Sequence, residues 1–146
     1  MTYTAIVIAL PDDDGVVEIR KVTADGDNFL GKAVEGWIEH LATEDGTIDF
    51  WMNEEGKLHG LPVNYVASDI FRKYYPVTPE QVWPGGPGEP FHVGNVVITG
   101  NKGPATASVR EGLWEELQAM PNDGVWTINR DGLPVWMCPV RFTEED

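Results

Sequence analysis

Phe50-Trp-Met-Asn-Glu-Glu-Gly-Lys-Leu-His-Gly-Leu-Pro-Val-Asn-Tyr-Val-Ala67 holds a strand, a tight turn and a helix start in one short stretch. Just upstream and into it, Ile48, Phe50 and Met52 alternate with Thr47, Asp49 and Trp51, the two-residue period of a half-buried strand. Asn53-Glu54-Glu55-Gly56 turns the chain, since Asn and Gly tolerate the left-handed backbone that turns use. Pro62 disfavours helix at the residue before it and has no N–H to lose, so a helix begins after it. Asn64 is positioned as the N-cap, and Tyr65, Val66, Ile70, Phe71 and Tyr74 form an apolar stripe at helical spacing. None of these residues announces a reaction.

Working outward, Tyr3 to Leu10 is a near-continuous Ile/Val-rich run, the pattern of a central strand covered on both faces. Val16 to Val22 returns as its hairpin partner across Pro11-Asp-Asp-Asp-Gly15. The three Asp do not make a calcium loop, because ligands at alternate positions and a Glu at the twelfth are both missing; a polar turn is the reading. Asp25, Asp27 or Asn28 caps a short helix through about Val34, with Phe29, Leu30 and Ala33 buried and Gly36 ending it. Trp37 to Ala42 follows as a strand, with Trp37 facing the core. Residues 75–90 carry five prolines and form a loop or flap, and Phe91 to Thr99 resumes as a strand. Thr106 or Ser108, the latter paired with Glu111 as a reciprocal cap, starts a helix from about Val109 to Met120. Leu113, Trp114, Leu117 and Met120 are its buried face. Val125 to Asn129 and Leu133 to Val140 flank Arg130-Asp-Gly132, a hairpin signal, and Pro134 and Pro139 demote the second arm to an edge strand.

The chain has 146 residues, enough for one domain with a sizeable core. Apolar content of 42 % with six Trp argues for a folded globule, and no apolar run approaches the roughly 20 residues of a membrane span. The start of the chain lacks the features of a signal peptide, and Cys138 is alone, so a reducing interior is expected. Net charge is −14, of which −9 lies in residues 1–60. A field of that sign repels nucleic acid and anionic membrane and attracts basic protein surfaces, though it also serves solubility alone.

Two short pieces accompany the central stretch: Gly36-Trp-Ile-Glu39 upstream and Gly94-Asn-Val-Val-Ile-Thr-Gly100 downstream. With Asn53-Glu-Glu-Gly-Lys-Leu-His-Gly-Leu-Pro-Val-Asn64 and Ala67, they resemble a domain-of-unknown-function family, number 3846, over about residues 3–101. The resemblance implies a phage-encoded intracellular accessory protein. It carries over no catalytic residue.

The residues leave no reactive constellation at a usable spacing. His40, His59 and His92 sit on separate elements, so a shared metal or catalytic base would need tertiary proximity. Cys138 has no announced base beside it and is read as a small buried hydrophobe. Gly85-Gly-Pro-Gly88 lacks a P-loop ending. Thr99-Gly-Asn-Lys-Gly103 is the better anion candidate, with Lys102 shortly before a helix start, but an ordinary strand-to-helix turn explains it as well. Trp51 alternates out of phase with Ile48, Phe50 and Met52, so it is either exposed or buried by a second cover on the sheet.

The expected fold is α+β: a mixed, mostly antiparallel sheet of five to six strands packed by two or three helices. One domain is expected, with a helix-plus-hairpin extension after residue 101. The expected function is a non-enzymatic phage protein in the host cytoplasm that binds and modulates a host protein, in a sharper version as an acidic DNA mimic or anti-defence inhibitor. Its interaction surface combines Glu39, Asp49, Trp51, Glu54 and Glu55. No cofactor, metal, catalytic residue, direct nucleic-acid contact or membrane contact is expected. The alternatives are a nucleotide-sequestering protein using Lys102 and the Pro/Gly flap, and a hydrolase using carboxylates and His59.

Overall fold

A computed structural model describes residues 2–26, 28–42, 46–53, 55, 60–74 and 94–145. In chain order these form β1 (Thr2–Ile8), β2 (Val17–Asp25), α1 (Asn28–Val34), β3 (Ile38–Ala42), β4 (Asp49–Asn53) and α2 (Tyr65–Tyr74). There follow β5 (Val96–Lys102), β6 (Ala105–Ala107), α3 (Leu113–Gln118), β7 (Val125–Arg130) and β8 (Leu133–Glu144). One sheet runs β3-β4-β5-β1-β2-β8-β7, with β6 paired to β5 off that path. Every pairing is antiparallel except β2 with β8. The mixed, mostly antiparallel class and the three helices agree with expectation.

The strand count does not: the sheet has eight strands instead of five or six. Two local events add the extra ones. Residues 105–107 pair back onto β5 as a short hairpin strand. The C-terminal hairpin joins the same sheet, because Val140 to Glu144 lie parallel to Val17 to Lys21. The second arm is therefore not an edge strand along its whole length. Its first half pairs only with β7 among the described residues, which accommodates Pro134 and Pro139, and its second half is internal.

The sheet is covered on both faces. Ile6, Ile8, Ile19, Phe50 and Ile98 point to one side, where α2 and α3 supply Ile70, Phe71, Leu113 and Leu117. Tyr3, Ala5, Val7, Val22 and Val97 point to the other, under Leu30 and Val34 of α1. This is why Tyr3 to Ile8 reads as a continuous apolar run: β1 lies between two strands and its alternate residues fill two cores.

Caps settle where the helices begin and end. The Asn64 side-chain Oδ1 accepts the Ala67 N–H at 3.0 Å, so Asn64 is the N-cap of α2 as expected. Helix α1 closes through Glu35 in the left-handed region at φ 61°, with Gly36 N–H donating to the Gly31 carbonyl at 3.0 Å. The Asn53 amide then donates to the carbonyls of Val34 and Glu35, both at 3.2 Å. A Cβ on Gly36 would collide with that same amide, so the close approach requires glycine.

Helix α3 starts later than the capping pattern suggested. Ser108 does not cap it; its Oγ accepts the Thr4 N–H at 2.8 Å, and Val109 N–H donates to the Thr4 carbonyl at 2.9 Å. The first half of β1, which β5 does not reach, competes successfully for the Ser108 hydroxyl. The helix begins only after Gly112, whose φ of 90° supplies the turn without any side-chain cap. The Asp12 loop is a polar turn: its Oδ1 accepts the N–H groups of Asp14 at 2.9 Å and Val16 at 3.0 Å. The Val16 bond is the main cause holding the Asp12 carboxyl below its ordinary range.

Candidate functional site

Strand register brings together polar residues that the sequence scatters. His40 lies directly across from Trp51, Trp51 from Val97, and Asp49 from Thr99. Directly paired residues share a face, so His40, Asp49, Trp51 and Thr99 all project from the α1 side of the sheet. His40 Nε2 is 3.1 Å from Asp49 Oδ1, and the imidazole stacks on Trp51 with centroids 4.5 Å apart. The Trp51 indole N–H donates to Thr99 Oγ1 at 2.8 Å. Asn101 Nδ2 donates to the Gly46 carbonyl at 2.6 Å and reaches Asp49 Oδ1 at 3.3 Å.

The chemistry open to this group is narrow. Nε2 is the ring nitrogen that His40 presents to the Asp49 carboxylate. An aspartate–histidine pair becomes a nucleophilic machine only with a reachable hydroxyl or thiol. Here the neighbouring hydroxyl is Thr99, fully buried and already accepting from Trp51. The group closes upon itself and braces β3, β4 and β5. The hairpin register is the signal by which sequence reasoning could have paired His40 with Asp49, and it was not available without the strand ends.

The expected interaction residues separate. Asp49 is only 4 % exposed, so it is withdrawn from the surface, and its burial is tolerated because His40 and Asn101 partner it. Trp51 is half-buried, since the second cover on the sheet is real: α1 lies over β4 and β5. Glu39 pairs through its backbone with Met52. Glu55 is exposed, and its N–H donates to Asn53 Oδ1 at 2.8 Å. Glu54, His59, His92 and the Pro/Gly flap lie outside the described residues.

Lys102 is exposed at the end of β5, facing Ala105 across a hairpin. No helix follows it directly, so the strand-to-helix anion turn is not formed. Trp37, expected in the core, is instead 77 % exposed, because it sits in the bend between α1 and β3 and belongs to the period of neither. Trp114 and Cys138 are buried as expected, and burial raises the Cys138 thiol pKa. Among the described residues no three His, Cys, Asp or Glu side chains gather in a metal-binding cluster, and no helix is long and apolar enough to cross a membrane.

A second polar cluster ties α2 to α3. Arg110 forks onto Glu116 at 2.7 and 2.9 Å, and the Tyr74 hydroxyl donates to Glu116 Oε1 at 2.8 Å. Arg110 and Tyr74 hold the Glu116 carboxyl down to about 2. Burial, then Glu116, pushes the Tyr74 phenol up to about 12. A raised folded pKa means that this contribution is fully present below the ordinary tyrosine pKa of 10 and is lost as pH rises toward 12. In an ultraviolet titration one tyrosine should therefore ionise near pH 12. Glu116→Gln should bring it down while leaving it above 10, because burial persists; a titration unchanged by that substitution would break the assignment.

The family model for a domain of unknown function, DUF3846, matches residues 6–122. The chain belongs to this family. The DUF3846 region thus runs past residue 101, through β6 and α3, and stops before β7. No curated protein matches the chain, and no solved structure does. Outside the DUF3846 region stand β7 and β8, anchored to it by Trp126, Trp136 and the β2 pairing.

Proposed function

We propose that this chain is a non-catalytic accessory protein, phage-encoded and acting in the host cytoplasm, that binds and modulates a host protein. The observation that supports it is Trp37. A tryptophan 77 % exposed beside Ile38, at the start of a strand that among the described residues pairs only with β4, is costly to leave in water. Tryptophan is the residue most enriched at the energetic centres of interfaces. The surface first sought around Asp49 and Trp51 is better centred on Trp37, with the exposed Glu35 two positions before it and the exposed Glu55 linked to Glu35 through Asn53.

The charge of −14 steers such a surface toward a basic partner. In its sharper version, the acidic decoy of a nucleic acid, affinity falls steeply with salt. Nucleotide sequestration at Lys102 has no comparable support, since that lysine stands on an exposed hairpin.

The test is capture from host lysate at low and high salt with wild type and Trp37→Ala. Trp37→Ala should leave the melting temperature nearly unchanged, because the ring is exposed, yet weaken the captured complex by roughly thirtyfold, as hot-spot truncations of about 2 kcal/mol do. Equal recovery by both proteins would end this reading. A complex that depends on Trp37 but not on salt would retain binding and remove the decoy version.

A further inference from the structure

The hairpin beyond the DUF3846 region has a root in the core and a tip in water. At the root, Trp126 is 1 % and Cys138 6 % exposed, and Trp136 stacks on Tyr65 of α2 at 4.9 Å. At the tip, Leu133, Val135 and Met137 are 68, 55 and 61 % exposed. The ladder slips by one residue, from Ile128 opposite Trp136 to Asn129 opposite Pro134, so Val135 is an extra residue in β8. Leu133 pairs with Arg130 and Met137 with Thr127. Arg130 and Thr127 are three apart along β7, so Leu133 and Met137 lie on opposite faces of the arm.

An arm that is apolar on both faces cannot satisfy itself by lying flat on a surface; it needs a cleft. We propose that the β7–β8 tip is a docking finger for a protein partner whose apolar cleft is bordered by Lys and Arg. Charge selects that partner. Residues 125–139 contain one Arg and one Asp, so the finger is neutral while the rest of the chain carries the full −14. A neutral apolar projection on an acidic body complements an apolar cleft with a basic rim. A second copy is a poor occupant, because it brings another −14.

The finger is a different surface from Trp37. Strand β3 opens the sheet order and β7 closes it, with five strands between them. The two ends can engage two partners, or two parts of one.

The full chain carrying a photo-crosslinking residue at position 135, with a control at exposed position 23, is irradiated in cells that carry its gene. The crosslinked protein is identified and purified, and its Kd is measured against wild type, Leu133→Ser/Val135→Thr/Met137→Thr, and Val135→Thr alone, which keeps the strand-favouring branch. Capture at 135 and not at 23, of a protein with an apolar cleft rimmed by basic residues, with at least tenfold weakening by the triple change and loss on raising salt, is the expected result. Crosslinking to a second copy, to nothing, or to a protein indifferent to all the substitutions would overturn the finger. A partner lost on Trp37→Ala but indifferent to the tip would overturn the finger and leave the Trp37 reading standing; the reverse pattern would do the opposite.

Discussion

Replacing Asn64 with alanine is expected to remove about 3–5 kcal/mol of stability, a large part of what a domain of this size possesses. Asn64 is 2 % exposed and makes three side-chain hydrogen bonds to backbone groups. Its Nδ2 donates to the carbonyls of Ile8 and Gly94, each at 2.9 Å, and its Oδ1 accepts the Ala67 N–H at 3.0 Å. One amide therefore joins the end of β1, the approach to β5 and the first turn of α2. Alanine removes all three bonds, and each buried group it leaves without a partner costs about 1–3 kcal/mol. Asn64→Asp separates the cap from the tie. It keeps the acceptor for Ala67 but aims a carboxylate at two carbonyl oxygens. That carboxyl must take up a proton to fold, so its pKa is raised in the folded state, and the variant should be more stable at pH 4 than at pH 7. Urea denaturation at both pH values decides it. A loss below 1 kcal/mol for alanine would mean that water replaces the amide.

The second large effect is at Trp126, where alanine should cost about 3–5 kcal/mol through the cavity it leaves. Trp126 is 1 % exposed, and its indole N–H donates at 2.9 Å to Asp69 Oδ2, which also takes Lys73 at 3.0 Å. Lys73 further lies 5.6 Å above the same ring. Phenylalanine restores most of the volume without the donor, and a hydrogen bond to a charged group contributes about 1.5–3 kcal/mol. Guanidinium midpoints should thus fall in the order wild type, Trp126→Phe, Trp126→Ala. If phenylalanine matches wild type, the Asp69 bond contributes nothing and the root of the hairpin is held by packing alone.

Much of the fold was legible wherever local chemistry and tertiary environment agree. The β1 run, the Pro62–Asn64 entry to α2 and the Arg130–Gly132 turn are such places; in the last, Asp131 and Gly132 both take positive φ. Reading failed where a distant element outbid the local pattern. Ser108 matched a capping box but bonds to Thr4, 104 positions away in the chain. Pro134 and Pro139 marked an edge correctly for the first half of β8, while nothing near Val140 announces a parallel partner at Val17. At the candidate site, the alternation placed Trp51 on the face away from Ile48 and Phe50, which is right. Its cover by α1 and its contact with His40 depend on sheet order and register, which no local period encodes. Trp37 misled for the opposite reason: an aromatic beside an apolar strand reads as core, and a bend left it outside.

The parallel ladder between β2 and β8 also bears on how the protein is made. Cys138 reaches the Gly15 carbonyl at 3.0 Å across 123 positions of sequence, and the ladder beside it joins segments equally remote. Contacts of such high order form late, after the loop-closure entropy has been met. At ribosomal speeds of about 5–20 residues per second, roughly 6–25 s pass between emergence of β2 and emergence of its partner. Throughout that interval β2 is a bare margin of a growing sheet. It meets that exposure with Glu18, Arg20 and Lys21 in consecutive or near-consecutive positions, charges of the kind that discourage a nascent strand from pairing with the wrong chain. Once β8 arrives, Glu18 and Lys21 acquire partners in Arg141 and Glu144, so residues that guard the nascent chain become fasteners in the finished one.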